Sequence, residues 1–229
     1  MTPRWWARLG CAVCRKIFVE MFRITGGSAK GRRLQVLKQE DLRPTSDKVR
    51  QAIFNLLRHS VLPPAELDKM RALDLFAGAG SLGLEAISRG VSHCVFVEQS
   101  RRAVAQIKAS VAQLSFQDQT TIRCERVERF LKKQTPHPPS PLHEGYGLIF
   151  ADPPYRLRAD AMLFEGLAQK SQSLIDGALL VFESPSRERP SPAVGWSLEL
   201  ERSYGDTTLS FFRWSATLAD GADSELTST

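Results

Sequence analysis

No apolar run in this chain approaches the roughly 20 residues a helix needs to cross a bilayer. The opening stretch MTPRWWARLGCAVCRKIFVE (1–20) lacks both an uninterrupted apolar segment and a cleavage site, so no secretory leader is expected and the chain reads as cytoplasmic. Cysteine is scarce. Of the four, Cys11 and Cys14 form one CxxC with no second pair to complete a zinc site, and Cys94 and Cys124 fall in strand-like runs. No structural metal is expected. His137 and His143 lie in KQTPHPPSPLHEG (133–145), whose four prolines mark a loop with solvated side chains rather than metal ligands. There is no internal repeat.

What the chain does have is 229 residues, 42% of them hydrophobic and 24% charged, enough for one domain with its own core plus appendages. Its net charge of +6 is unevenly placed: residues 1–60 hold 13 Lys or Arg against 4 Asp or Glu, and the remainder 18 against 21. A basic patch at one end suits a polyanionic partner better than a uniformly basic surface does.

The pattern divides the chain into four parts. Residues 1–20 share little with the rest of the chain and read as a dispensable extension ahead of Met21. Residues 21–64 hold a basic hairpin, MFRITGGSAKGRRLQVL, with Gly26 and Gly27 expected at its turn, and then LRPTSDKVRQAIFNLL. In the latter, Thr45 or Ser46 is the expected N-cap, Asp47 sits in the first turn, and Val49, Ile53, Leu56 and Leu57 recur at helical spacing. Residues 65–215 form the core, and the small, polar residues 216–229 are expected to be a disordered tail.

Within the core, strand and helix alternate. Strands are expected at 72–76, 93–98, 120–124, 147–151 and 178–183, with helices at 82–89, 100–114, 126–133 and 159–174 between them. Strands separated by helices of this length imply a doubly wound α/β sheet. SLELERS and TTLSFFRW, joined by YGD, then close the chain as a hairpin with at least one antiparallel strand.

DLFAGAGSLGLEA places Gly78, Gly80 and Gly83 in GxGxxG spacing between a strand and a helix, and Glu98 ends the next strand. A carboxylate there can accept from ribose hydroxyls, so a nucleoside-containing cofactor is expected. Dinucleotides and S-adenosylmethionine both fit this fingerprint. The core strands lack the Tyr-x-x-x-Lys or well-placed His that a nicotinamide oxidoreductase would need.

The run LIFADPPYR (148–156) supplies a different chemistry. The prolines stiffen the backbone after a buried strand and prevent ladder pairing, which leaves carbonyls available. The Asp152 carboxylate and the Pro153 carbonyl can accept the two hydrogens of one NH2 group and aim its lone pair outward. Tyr155 offers a face on which a flat base can stack. This is an arrangement for methylating an amine whose lone pair is delocalised; it serves adenine and cytosine amines of DNA or RNA and a glutamine amide as well, and the basic N-terminal end disfavours a protein substrate.

FRITGGSAKGRRL, LRPTSDKVRQAIFNLL, LDLFAGAGSLGLEAISRG, FVEQSRRAV, ADPPY and YGDTTLSFFRW occur in an order that resembles the bacterial 16S ribosomal RNA (guanine-N2)-methyltransferases acting on one guanine of the small-subunit head. The resemblance runs from about Met21 to Trp214. It implies a Rossmann-like class I methyltransferase fold, with a seven-stranded, mostly parallel sheet, S-adenosylmethionine as methyl donor, and a monomer acting on 16S rRNA in an assembling or assembled 30S subunit. By position it implies that Asp74, Phe76, Gly78 and Gly80 border the cofactor, that Glu98 holds its ribose, and that Asp152, Pro153, Pro154 and Tyr155 hold the guanine amine. Arg43 and Thr45 would border cofactor and RNA. From the basic charge of this end rather than from the resemblance, Arg23, Lys30, Arg32, Arg33, Lys48 and Arg50 are expected to carry RNA. One departure concerns adenine: where the family pattern shows Asp or Asn followed by Ala, this chain has Arg126 and Val127. Arginine cannot accept a hydrogen bond. Either the Val127 backbone and Glu125 take over adenine recognition, or cofactor affinity is reduced. Residues 133–145 are also longer and richer in proline than the resemblance leads one to expect.

Overall fold

The computed structural model describes residues 19–37, 46–62, 67–133, 145–154 and 159–217. Arg43, Thr45, Tyr155 and the segments 1–18 and 218–229 lie outside the described residues. Two short strands, β1 (Val19–Arg23) and β2 (Arg33–Leu37), pair antiparallel and precede helix α1 (Asp47–Leu56), which runs on into one π-turn at Leu57–Val61. The core continues as β3 (Arg71–Leu75), α2 (Ser81–Ser88), β4 (His93–Glu98), α3 (Arg101–Leu114), β5 (Thr120–Cys124), α4 (Val127–Lys132), β6 (Tyr146–Ala151), α5 (Asp160–Ala168), β7 (Leu174–Pro185), β8 (Trp196–Tyr204) and β9 (Thr207–Trp214).

The seven core strands form one sheet in the order β5-β4-β3-β6-β7-β9-β8, parallel except where β9 inserts antiparallel between β7 and β8. This is the Rossmann-like, mostly parallel architecture that the alternation of strand and helix implies. The chain reverses its winding between β3 and β6, and such a switch point opens a ligand crevice beyond the strand C-termini. Alternation along the strands feeds two cores. Leu148 and Phe150 face α1 and α2, while Ile149 and Ala151 face α4 and α5.

Three elements depart from the sequence pattern. The helix expected at 159–174 ends at Ala168, because Ser171–Ser173 close into a 3-10 turn and Leu174 already pairs with Tyr146. β7 is correspondingly longer than 178–183, with a register shift opposite β6 and Gly177 at φ +79°. Gly26 and Gly27 do not make a tight hairpin turn: β1 and β2 are joined by residues 24–32, and Gly31 N–H returns to the Ile24 carbonyl at 2.8 Å. Gly27 is needed for close approach instead. At φ +78°, a Cβ there would sit 1.6 Å from the Ser88 carbonyl oxygen.

That approach seats the hairpin loop on the C-terminal end of α2. Ser28 N–H donates to Ser88 O at 2.6 Å, Ala29 N–H to Ser88 Oγ at 3.0 Å, and Ser88 Oγ–H to Gly26 O at 2.6 Å. Because α2 leaves the strand C-termini and runs back down the sheet, the loop lies about 12 Å of helix below the glycine turn.

Among the described residues no helix is long and apolar enough to cross a membrane, and no cluster of His, Cys, Asp and Glu could hold a metal.

Candidate active site

Three strand ends build the site. After β3 the chain turns sharply through Phe76 (φ +58°), Gly78 (φ +53°) and Gly80 (φ +76°) before α2 begins. The three glycines of the fingerprint serve different ends. A Cβ on Gly78 would meet only the Phe76 carbonyl oxygen, at 3.9 Å, so this glycine opens the loop to a ligand. A Cβ on Gly83 would lie 2.3 Å from the Phe96 ring and 2.7 Å from Cys94 Sγ, so that glycine lets α2 pack on β4. Asp74 points from β3 to the helix start and accepts from Gly83 N–H at 2.9 Å.

Glu98 ends β4, 7% exposed, with both oxygens oriented: Gly78 N–H donates to Oε2 at 2.9 Å and Ser100 N–H to Oε1 at 2.7 Å. A carboxylate has about four acceptor sites. Two are used here, which fixes the group against the glycine turn and leaves capacity for a ribose diol.

Asp152 comes directly after β6, with Pro153 buried and Pro154 exposed. β6 is the direct sheet neighbour of β3, and the Asp152 charge reaches Asp74. Beside Pro153 opens a cleft of about 220 Å3, walled also by Asp160, Phe182, Glu183, Pro185 and Arg189. This is below the roughly 300–1,000 Å3 of sites for drug-sized ligands. Sequence reasoning passes over Glu183, which closes the strand expected at 178–183 as Glu98 closes 93–98, and which the structure places in β7 on the wall of this cleft.

Burial pushes the Asp74 carboxyl well above the usual carboxylate range; the Gly83 N–H opposes the rise, and the charges of Asp152 and Glu98 add to it. The folded chain therefore holds this proton more tightly than the unfolded chain. The stability so gained is full below the unfolded value and is lost as pH climbs through the folded one. Asp74→Asn keeps an oxygen for Gly83 N–H and removes the charge. Melting temperatures measured across a pH series should fall less steeply for the variant than for wild type as pH rises; parallel curves would assign the decline to other groups.

Of the two residues expected to face adenine, Arg126 is the N-cap residue of α4 but makes no side-chain cap bond, and the Val127 side chain is 3% exposed within the core. That leaves the Val127 backbone as its polar group for a ligand. The Glu125 carboxylate is held by Lys133 Nζ at 2.5 Å.

Arg50 corrects an expectation. The basic N-terminal region leads one to expect it on RNA, yet it is wholly buried, where no phosphate can reach it. Its Nη2 donates to Arg23 O at 2.7 Å and to Asp47 Oδ1 at 2.6 Å, and its Nε lies 3.4 Å from Glu85 Oε2. Arg23, Lys30, Arg32, Arg33 and Lys48 are exposed.

The family described as "Conserved hypothetical protein 95" matches residues 22–213. The chain belongs to that family. It is 32% identical over 204 residues, 88% of its length and 94% of the relative's, to ribosomal RNA small subunit methyltransferase D of Escherichia coli K12. Among solved structures it matches yhhF from Escherichia coli with a TM-score of 0.70 at 28% identity, over 86% of this chain and 99% of that one. The fold is shared at 11% identity, with a TM-score of 0.61, by SMU.776 complexed with SAH, over 85% of this chain and 56% of that one. The seven-stranded sheet of this family member is thus a methyltransferase fold, and the candidate residues Gly78, Glu98 and Asp152 lie at its strand ends.

Proposed function

We propose that this family member transfers a methyl group from S-adenosylmethionine to the exocyclic N2 amine of one guanine in 16S ribosomal RNA. The observation that carries the reading is the Asp152-Pro153-Pro154 turn at the end of β6, beside β3 and its glycine turn, with a cleft of about 220 Å3 opening at Pro153. The small-subunit rRNA methyltransferase among its relatives supports RNA as the acceptor.

The residues present fit the donor. Gly78 leaves room along the turn, Glu98 is oriented for the ribose, Asp74 and Phe76 border the turn, and the Val127 backbone is the group available to adenine. When bound, S-adenosylmethionine supplies an electrophilic methyl. The chain's part is to present the nucleophile. The Asp152 carboxylate and the Pro153 carbonyl accept the two hydrogens of the guanine amine and direct its lone pair at the methyl carbon. A guanine amine receiving that methyl would become positive at nitrogen, and these two acceptors would hold that charge more strongly than the neutral amine. The product cation then loses one proton to solvent. Tyr155 is assigned to stacking on the base and Arg43 and Thr45 to the mouth, while Arg23, Lys30, Arg32, Arg33 and Lys48 are assigned to phosphates.

Incubation of the protein with labelled donor and either 16S rRNA or 30S subunits, followed by mass mapping, tests the reading. One N2-methylguanosine is expected. Methylation of DNA alone, or of an adenine or cytosine amine, would overturn it.

Glu98→Ala should weaken donor binding about 10- to 100-fold with a smaller effect on the rate at saturation, because bonds to a ribose exist in ground and transition states alike. Calorimetric titration with S-adenosylhomocysteine, set beside saturating kinetics, measures both. An unchanged Kd would remove Glu98 from the cofactor site.

A further inference from the structure

Two stretches of this chain contain no acidic residue, 21–37 and 99–114, and together they hold seven Lys or Arg. The fold packs them against each other. Gln106 Nε2 donates to Gln35 O at 2.8 Å, Gln113 Nε2 to Arg33 O at 3.1 Å, and Arg32 Nη2 to Gln113 O at 2.9 Å. β2 therefore climbs α3 from its C-terminal end towards its N-terminal end. Arg101 and Arg102 lie one turn beyond Gln106, next to Ser100 and Glu98 at the crevice mouth.

Arg101, Arg102 and Lys108 are exposed, and among the described residues no carboxylate pairs with them. Two features set this face apart from an ordinary solvated one. Arg101 and Arg102 occupy the first turn of α3, where the helix dipole opposes cations; no acid lies within that turn, and Glu98 just ahead of it is engaged by Gly78 N–H and Ser100 N–H. A local rule broken without structural gain marks a position held for binding. Arg101 and Lys108 also fall on one line of the helix, about 10 Å apart, with only Ala105 and Ala112 along that line, so no bulky side chain blocks an approaching backbone.

We propose that the exposed face of α3 is a docking surface for the substrate's RNA backbone. Arg101 and Lys108, with Arg102 at the seam to β2, bind phosphates flanking the target base and lead the strand from the crevice mouth down to Arg33 and Arg32. The hairpin is thereby joined to the site. Its loop is seated about 12 Å of helix below the glycine turn, and the α3 face bridges that distance.

The inference rests on RNA being the substrate, and the test separates the two. R101Q/K108Q is compared with R58Q/R202Q, which removes two exposed charges elsewhere, and with the conservative R101K/K108R. Binding of a 16S fragment is measured at several salt concentrations, alongside S-adenosylhomocysteine affinity and melting temperature. For R101Q/K108Q, log K against log salt should become shallower by about 0.7–0.9 per contact, with roughly a 10-fold or greater loss of affinity at 0.1 M salt. Cofactor affinity should be unchanged and melting temperature equal or higher, since the dipole conflict is relieved. R101K/K108R and R58Q/R202Q should keep the wild-type slope. A slope for R101Q/K108Q equal to wild type, or a fall in its melting temperature that accompanies the lost binding, would overturn docking on α3 while wild-type methylation of the RNA stands. A wild-type protein that neither binds nor methylates the RNA would overturn both.

Discussion

Asp152→Ala should reduce methyl transfer about 100- to 1,000-fold while S-adenosylhomocysteine affinity stays within a few fold. The size comes from removing one preorganised acceptor aimed at charge that develops only in the transition state, worth about 2.7–4 kcal/mol. The affinity expectation comes from the geometry: the glycine turn and Glu98 hold each other through Gly78 N–H without Asp152. Asp152→Asn, which keeps one accepting oxygen without the charge, should fall between Ala and wild type. Single-turnover rates with saturating donor and RNA decide the matter. Turnover near normal in Asp152→Ala would sink the mechanism.

The second large effect concerns stability. Glu85 lies on α2 with its side chain wholly buried, accepting from Thr25 N–H at 2.8 Å, Thr25 Oγ–H at 2.8 Å and Arg89 Nε–H at 2.7 Å, with Arg50 Nε at 3.4 Å. Glu85→Ala takes the carboxylate from two guanidinium groups, one of them itself fully buried, and should destabilise the fold by about 3–5 kcal/mol. The loss should be concentrated where hairpin, α1 and α2 meet. Hydrogen exchange should therefore rise in residues 22–34 and 47–57 before the sheet is affected. Replacing Arg50 and Glu85 together by Met and Leu should recover only part of the loss: the apolar pair avoids the desolvation of Arg50 and Glu85, but Thr25 N–H and Arg89 Nε–H stay without their acceptor. Denaturant melts of the single and double variants measure this. A Glu85→Ala midpoint within error of wild type would show that the pair contributes nothing net.

The sequence alone determined whatever is carried by short-range pattern. The strands at 93–98 and 120–124 coincide with β4 and β5, since apolar runs bounded by turn residues and helical repeats are local signals. The Ser46 cap was legible because Ser46 Oγ accepts from Val49 N–H three residues on, and the order of strands and helices implied the doubly wound sheet. Gly78, Glu98 and Asp152 could be picked out because each lies at the end of a buried strand or just beyond it, and strand ends in such a sheet converge on one crevice.

Only the tertiary structure decided what depends on contacts far apart in the chain. Arg50 reads as a surface cation on an amphipathic helix, and its burial comes with a carboxylate 35 positions away. Gly27 reads as a turn residue, and its need for no side chain comes from the Ser88 carbonyl, 61 positions on. α3 reads as an ordinary helix between two strands until β2 is seen lying along it. Local propensity depends on neighbours within a turn or two, whereas burial, ion pairing and the joining of two acid-free stretches into one surface depend on which elements the sheet topology brings together.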